Sequence, residues 1–87
     1  MTAARVAAIR SRLERAFVPT ELEIVDDSHR HAGHAGAKDG RGHFRVRIVS
    51  ERFAGTKTLD RHRMVYAALG DLMQTDIHAL SVDAQSP

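Results

Sequence analysis

Two short alternating segments enclose a long glycine- and histidine-rich connection, and that arrangement limits what the chain can become. Glu21-Leu-Glu-Ile-Val25 alternates polar and apolar residues. Phe44-Arg-Val-Arg-Ile-Val49 does the same, with Phe44, Val46 and Ile48 on one side and Arg45 and Arg47 on the other. Period-two alternation marks a strand with one buried face. Paired as a hairpin, the two strands bring Glu21 and Glu23 onto the open face with Arg45 and Arg47, where cross-strand charge pairs contribute roughly 0.2–1 kcal/mol each. The Asp26-Asp27-Ser28 cluster ends the first strand. The connection from Ser28 to His43 holds four of the six glycines and four of the six histidines, which predicts a long loop.

Helical periodicity flanks the hairpin. Val6, Ile9, Leu13 and Phe17 recur at helix spacing over residues 3–17, with Arg5, Arg12 and Arg15 at other angles, and Pro19 closes the segment. After the second strand, Phe53-Ala-Gly-Thr-Lys57 reads as a turn. A short helical turn at 58–61 then leads into a longer helix through Met64, Val65, Ala68, Leu69 and Leu72. Met64, Leu69, Leu72 and Met73 are expected in the core. Thr75-Asp76 breaks the chain, and Ile77-His-Ala-Leu-Ser-Val82 forms a last strand, in which His78 shares the parity of Leu80 and Val82. The order is αββααβ. The third strand returns beside the second only through a right-handed helical crossover, so that pair is parallel. The expectation is an α+β domain: a three-stranded mixed sheet with helices packed on one face, the layout of the type II KH fold. Residues 1–87 form one domain with a modest core, and 83–87 are a loose C-terminal end.

Composition narrows the function. An apolar content of 43% excludes wholesale disorder. No apolar run approaches a membrane span and no secretory signal is evident, so the expectation is a cytoplasmic protein with no membrane partner. The net charge of +2 is segmented, with −4 over residues 21–27 and +6 over residues 28–66. Eleven of the thirteen basic residues are arginine, which suits bidentate recognition of carboxylate or phosphate. Nucleic acid is therefore a permitted partner. Arg45 and Arg47 on the open sheet face, with Arg61-His62-Arg63 at a helix start, form the candidate surface for a protein partner or DNA. Positive charge at a helix N-terminus opposes the macrodipole, although Asp60 can cap that helix and offset it. The turn Gly55-Thr-Lys-Thr58 lacks the second glycine of a KH backbone clamp. No nucleophile–base–orienter set stands out, so a non-enzymatic role is expected.

Six histidines and no cysteine direct attention to metal chemistry. Imidazole both ligates borderline metals and titrates near neutral pH. His29, His31 and His34 crowd one loop, and in a chain without a thiol such a site calls for completion by a metal ion, a second protein or both. His29 reads as a solvated spacer and His43, just before a strand, as a structural or surface residue.

Val25-Asp-Asp-Ser-His-Arg-His-Ala-Gly-His34, His43-Phe-Arg-Val-Arg-Ile-Val-Ser50, Phe53-Ala-Gly55, Arg61-His-Arg-Met-Val-Tyr66 and Ile77-His-Ala-Leu80 together resemble the BolA family. The similarity runs from about residue 6 to the C-terminus and implies the KH-like layout. It also implies partnership with a monothiol glutaredoxin carrying a Cys-Gly-Phe-Ser site, the two proteins sharing a bridging 2Fe–2S cluster with glutathione. Transcription-regulator roles are the alternative that the resemblance carries. By the same resemblance His78 is a cluster ligand, and the second comes from the loop between the first two strands. His31 matches best, with His34 in reserve. Glutaredoxin and glutathione would supply two thiolates and this chain two nitrogens. The isolated monomer is accordingly expected to hold no cluster.

Overall fold

The computed structural model describes residues 2–28 and 41–87. The elements run α1 (Thr2–Phe17), β1 (Glu21–Asp26), β2 (Gly42–Val49), a 3₁₀ turn (Glu51–Phe53), α2 (Thr58–Leu69), α3 (Leu72–Thr75) and β3 (Ile77–Gln85). The sheet order is β1-β2-β3, with β1 antiparallel and β3 parallel to β2. This is the α+β mixed sheet that the alternation and the order of elements lead to.

One face of the sheet carries the core. Phe44, Val46 and Ile48 from β2 and Ala84 from β3 pack against Ile9, Leu13 and Phe17 of α1 and Val65 and Leu69 of α2. Leu69 and Leu72 are buried, and Met64 and Met73 lie partly buried against the same cluster. Phe53, fully buried, meets Phe17 with ring centroids 4.8 Å apart. Burying side chains of this size contributes roughly 1.5–3 kcal/mol each. Ser50 is also fully buried: its hydroxyl donates to the Phe17 carbonyl at 2.6 Å and accepts from the Arg52 amide, capping the 3₁₀ turn.

Arginines of α1 tie the helical layer together. Arg12 donates to the Leu69 carbonyl at 3.0 Å and reaches Asp71 at 3.0 Å, satisfying the end of α2. Arg5 pairs with Asp76 at 3.3 Å, at the point where β3 begins.

Three expectations are corrected. The break between the last two helices falls at Gly70 rather than after residue 61, so the long helix comes first. Gly70 has φ 53 and its amide donates to the Tyr66 carbonyl, a left-handed end that glycine adopts without a Cβ penalty. The N-cap of α2 is Lys57, which makes no side-chain cap; Asp60 lies in the first turn, 3.7 Å from Arg63. β3 continues through Gln85, whose carbonyl accepts from the Ser50 amide, so residues 83–85 belong to the sheet.

Candidate functional site

The sheet end where β3 begins gathers the features that matter. β2 and β3 are in parallel register with one irregularity: Gly42 lies opposite Ile77, but His43 lies opposite Ala79. The ladder steps past His78. That extra residue resets the parity of β3, so Ile77, Leu80, Val82 and Ala84 all turn toward the core while His78 is exposed. A bulge re-aims a side chain at a sheet edge in this way. The simple alternation of the sequence, which put His78 on the face of Leu80 and Val82, is corrected by it.

His43, on the outward parity of Arg45 and Arg47, meets His78 across the strands. Their ring centroids are 5.1 Å apart and the planes are inclined at 49°. Nδ1 of His78 also lies 3.3 Å from Nη2 of Arg41, whose Nη1 donates to the Gln74 carbonyl at 3.4 Å.

Both ends of the histidine-rich segment are fixed here. On the β1 side, Asp26 accepts from the Ser28 amide at 2.8 Å, an Asx turn, and the Asp27 amide donates to the His43 carbonyl at 2.7 Å. The Ser28 hydroxyl accepts from the His43 amide at 3.1 Å. On the β2 side, the Gly42 amide donates to the Asp76 carbonyl at 2.9 Å. Gly42 is required: a Cβ there meets the Phe44 ring at 2.6 Å and the Ser28 hydroxyl at 2.8 Å. His29, His31 and His34 lie outside the described residues.

Among the described residues, the imidazoles at this end are those of His43 and His78. No group of three or more His, Cys, Asp or Glu able to hold a metal occurs among the described residues. An exposed imidazole such as that of His78 can ligate a borderline metal, and a complete site would need further donors.

The arginines singled out by sequence are engaged within the fold. On the open face, Arg47 pairs with Glu21 at 2.9 Å, diagonal to its register partner Glu23, and Arg45 pairs with Asp27 at 2.6 Å. The Glu21 contact raises the pKa of Arg47 above its usual value, first through the hydrogen bond and then through charge. Arg61 is directed inward, donating to the Thr56 carbonyl at 3.1 Å and the Ala84 carbonyl at 3.0 Å, which ties α2 to β3. His62 is half-buried, and Arg63 is exposed beside Asp60. Sequence reasoning missed Arg41 and the nearness of His43 to His78. The outward parity of His43 was readable, but the bulge that brings His78 to it was not.

Comparison with known proteins shows similarity over most of the chain. A family model described as BolA-like protein matches residues 13–87. SufE-like protein 1, chloroplastic/mitochondrial, of Arabidopsis thaliana is 44% identical over 84 residues, 91% of this chain and 23% of that protein, so the chain spans under a quarter of that relative. DNA-binding transcriptional regulator BolA of Escherichia coli (strain K12) is 45% identical over 74 residues, 85% of this chain and 68% of that protein. The solved BolA domain of SufE1 from Arabidopsis thaliana superposes with a TM-score of 0.84 at 42% identity, covering 95% of this chain and 92% of that one.

Proposed function

Because this chain belongs to the BolA family, we propose that it is a non-enzymatic adaptor that pairs with a monothiol glutaredoxin and contributes two imidazole nitrogens to a shared 2Fe–2S cluster. The observation that carries the reading is the exposed, bulged His78, set beside His43 at the sheet end where the histidine-rich segment attaches. His78 is the first ligand, and the second nitrogen comes from the segment, His31 first and His34 in reserve. The cysteine-free chain has no thiolate to offer, so the glutaredoxin and glutathione thiolates complete the set. Imidazole in place of thiolate on one iron raises the potential of such a centre and makes its ligation sensitive to acid.

This chain's own work is to present and orient. The Asp76 carbonyl holds the strand that carries His43 to the start of β3, and the Ser28 hydroxyl holds it to the end of β1. Co-expression with a Cys-Gly-Phe-Ser glutaredoxin tests the reading. A copurified coloured complex, with visible absorption and circular dichroism altered by His78→Ala, supports it. Colourless, separate proteins overturn it.

The name of the Escherichia coli relative favours a second reading, a DNA-binding regulator. Arg45 and Arg47 would then exchange Asp27 and Glu21 for phosphate. Affinity falling steeply with salt, and a log–log slope flattened by about one unit per arginine removed, would identify that role.

A further inference from the structure

Arg41 stands immediately before β2, and its guanidinium spans the end of α3 and the start of β3. Nη1 donates to the Gln74 carbonyl at 3.4 Å while Nη2 lies 3.3 Å from Nδ1 of His78. The backbone that carries it is held in place, because the amide of the next residue, Gly42, donates to the Asp76 carbonyl at 2.9 Å.

A guanidinium has five N–H donors, no acceptor, and keeps its proton at any pH a folded protein tolerates. The contact therefore runs one way: Arg41 donates and Nδ1 accepts. A neutral imidazole whose Nδ1 accepts carries its proton on Nε2.

We infer that Arg41 is a positioning residue that holds His78 as the Nε2–H tautomer and occupies its Nδ1 lone pair, so that metal ligation at His78 requires Arg41 to let go. The inference rests on the reading of His78 as a ligand. Ligation at Nδ1 displaces Arg41 directly. Ligation at Nε2 needs that nitrogen's proton to move to Nδ1, which turns the acceptor into a donor facing another donor. Both routes break the same contact. A metal-bound histidine ordinarily donates its second N–H to a carboxylate, carbonyl or water. Arginine can play none of those parts. It acts instead as a latch that keeps the free chain from ligating metal until the partner's thiolates add their share of the binding energy.

The test is made first on the metal-free chain. Long-range proton–nitrogen correlation of the ¹⁵N-labelled protein, with His78 assigned by His78→Ala, should show a protonated Nε2 and an accepting Nδ1 on neutral His78. Arg41→Ala should mix the two tautomers, and Arg41→Lys, which keeps a cationic donor, should restore the preference. Titration with Zn²⁺ alone, read at the His78 ring nitrogens, should show binding roughly three- to tenfold tighter in Arg41→Ala. A protonated Nδ1 in the wild type, unchanged tautomers in Arg41→Ala, or equal Zn²⁺ affinities would overturn the latch. None of these readings needs glutaredoxin. A failure of the mixed cluster to form therefore sinks the adaptor reading alone, and a cluster that forms while tautomers stay unchanged sinks only the latch.

Discussion

His43 and His78 are brought to a ring separation of 5.1 Å by a single irregularity, in which Ala79 rather than His78 lies opposite His43. With unbroken alternation from Leu80, His78 would face the core, and Ile77 would lose its buried position. One extra residue thus serves both requirements, keeping an apolar residue inside at the head of β3 and setting an imidazole outside.

That exposure gives the first prediction. His78→Ala should cost the metal-free fold no more than about 1.5 kcal/mol, the loss of one exposed hydrogen bond to Arg41. Urea unfolding monitored by far-ultraviolet circular dichroism checks it. A loss of several kcal/mol would mean that His78 is a structural residue.

Gly42→Ala should be costly even though alanine is small. The added methyl overlaps the Phe44 ring and the Ser28 hydroxyl, and overpacking of this kind typically costs 1–3 kcal/mol. The same denaturation experiment, with the amide signals of Ser28, His43 and Phe44 followed by NMR, should show a loss of stability and shifts confined to this sheet end. Wild-type stability would refute the close approach.

Val18 presents the opposite case. It closes α1 with its amide on the Glu14 carbonyl, at φ 44 and two-thirds exposed. A left-handed conformation costs a residue with a Cβ roughly 1–2 kcal/mol. Glycine forfeits about 0.4–1 kcal/mol through the unfolded chain. Val18→Gly should therefore stabilise the protein by up to about 1 kcal/mol, seen as a higher denaturation midpoint at unchanged slope. A lower midpoint would contradict it.

The acid limb of stability should depend on Asp76. The Thr75 hydroxyl, and after it Arg5, hold the Asp76 carboxyl below the ordinary carboxylate range, against an opposing effect of burial. A depressed folded-state pKa contributes stability that is fully present above the unfolded value, about 3.9, and is lost as pH falls through the folded one. Asp76→Asn should flatten the decline of stability below about pH 4, measured by denaturant unfolding at a series of pH values. An identical pH slope in both proteins would show that the carboxyl gains nothing from its neighbours.

Much of this architecture was legible because burial and local pattern agree. The alternation of Phe44 to Val49 and the spacing of Ile9, Leu13 and Phe17 each have one buried face, and the α+β layout follows from their order. The reading failed where a backbone detail overrides the pattern. Gly70 sits inside an otherwise helical run, and only its left-handed end shows which helix is long. The bulge at the head of β3 leaves no mark in composition, so alternation alone groups His78 with Leu80 and Val82. Arg61 illustrates a third cause. Its basic triplet suggests a surface, yet the carbonyls of Thr56 and Ala84 claim its guanidinium, a long-range contact that no local window contains.

The proposed adaptor role requires this chain to supply imidazole nitrogens to a cluster completed by a partner's thiolates. The most direct measurement is nitrogen hyperfine spectroscopy of the reduced complex with a Cys-Gly-Phe-Ser glutaredoxin, prepared with this chain alone ¹⁵N-labelled. Expected are ¹⁵N couplings from two imidazoles, one lost in His78→Ala and the other in the His31/His34 double alanine variant. A cluster with no ¹⁵N coupling, or with couplings that survive His78→Ala unchanged, would contradict it.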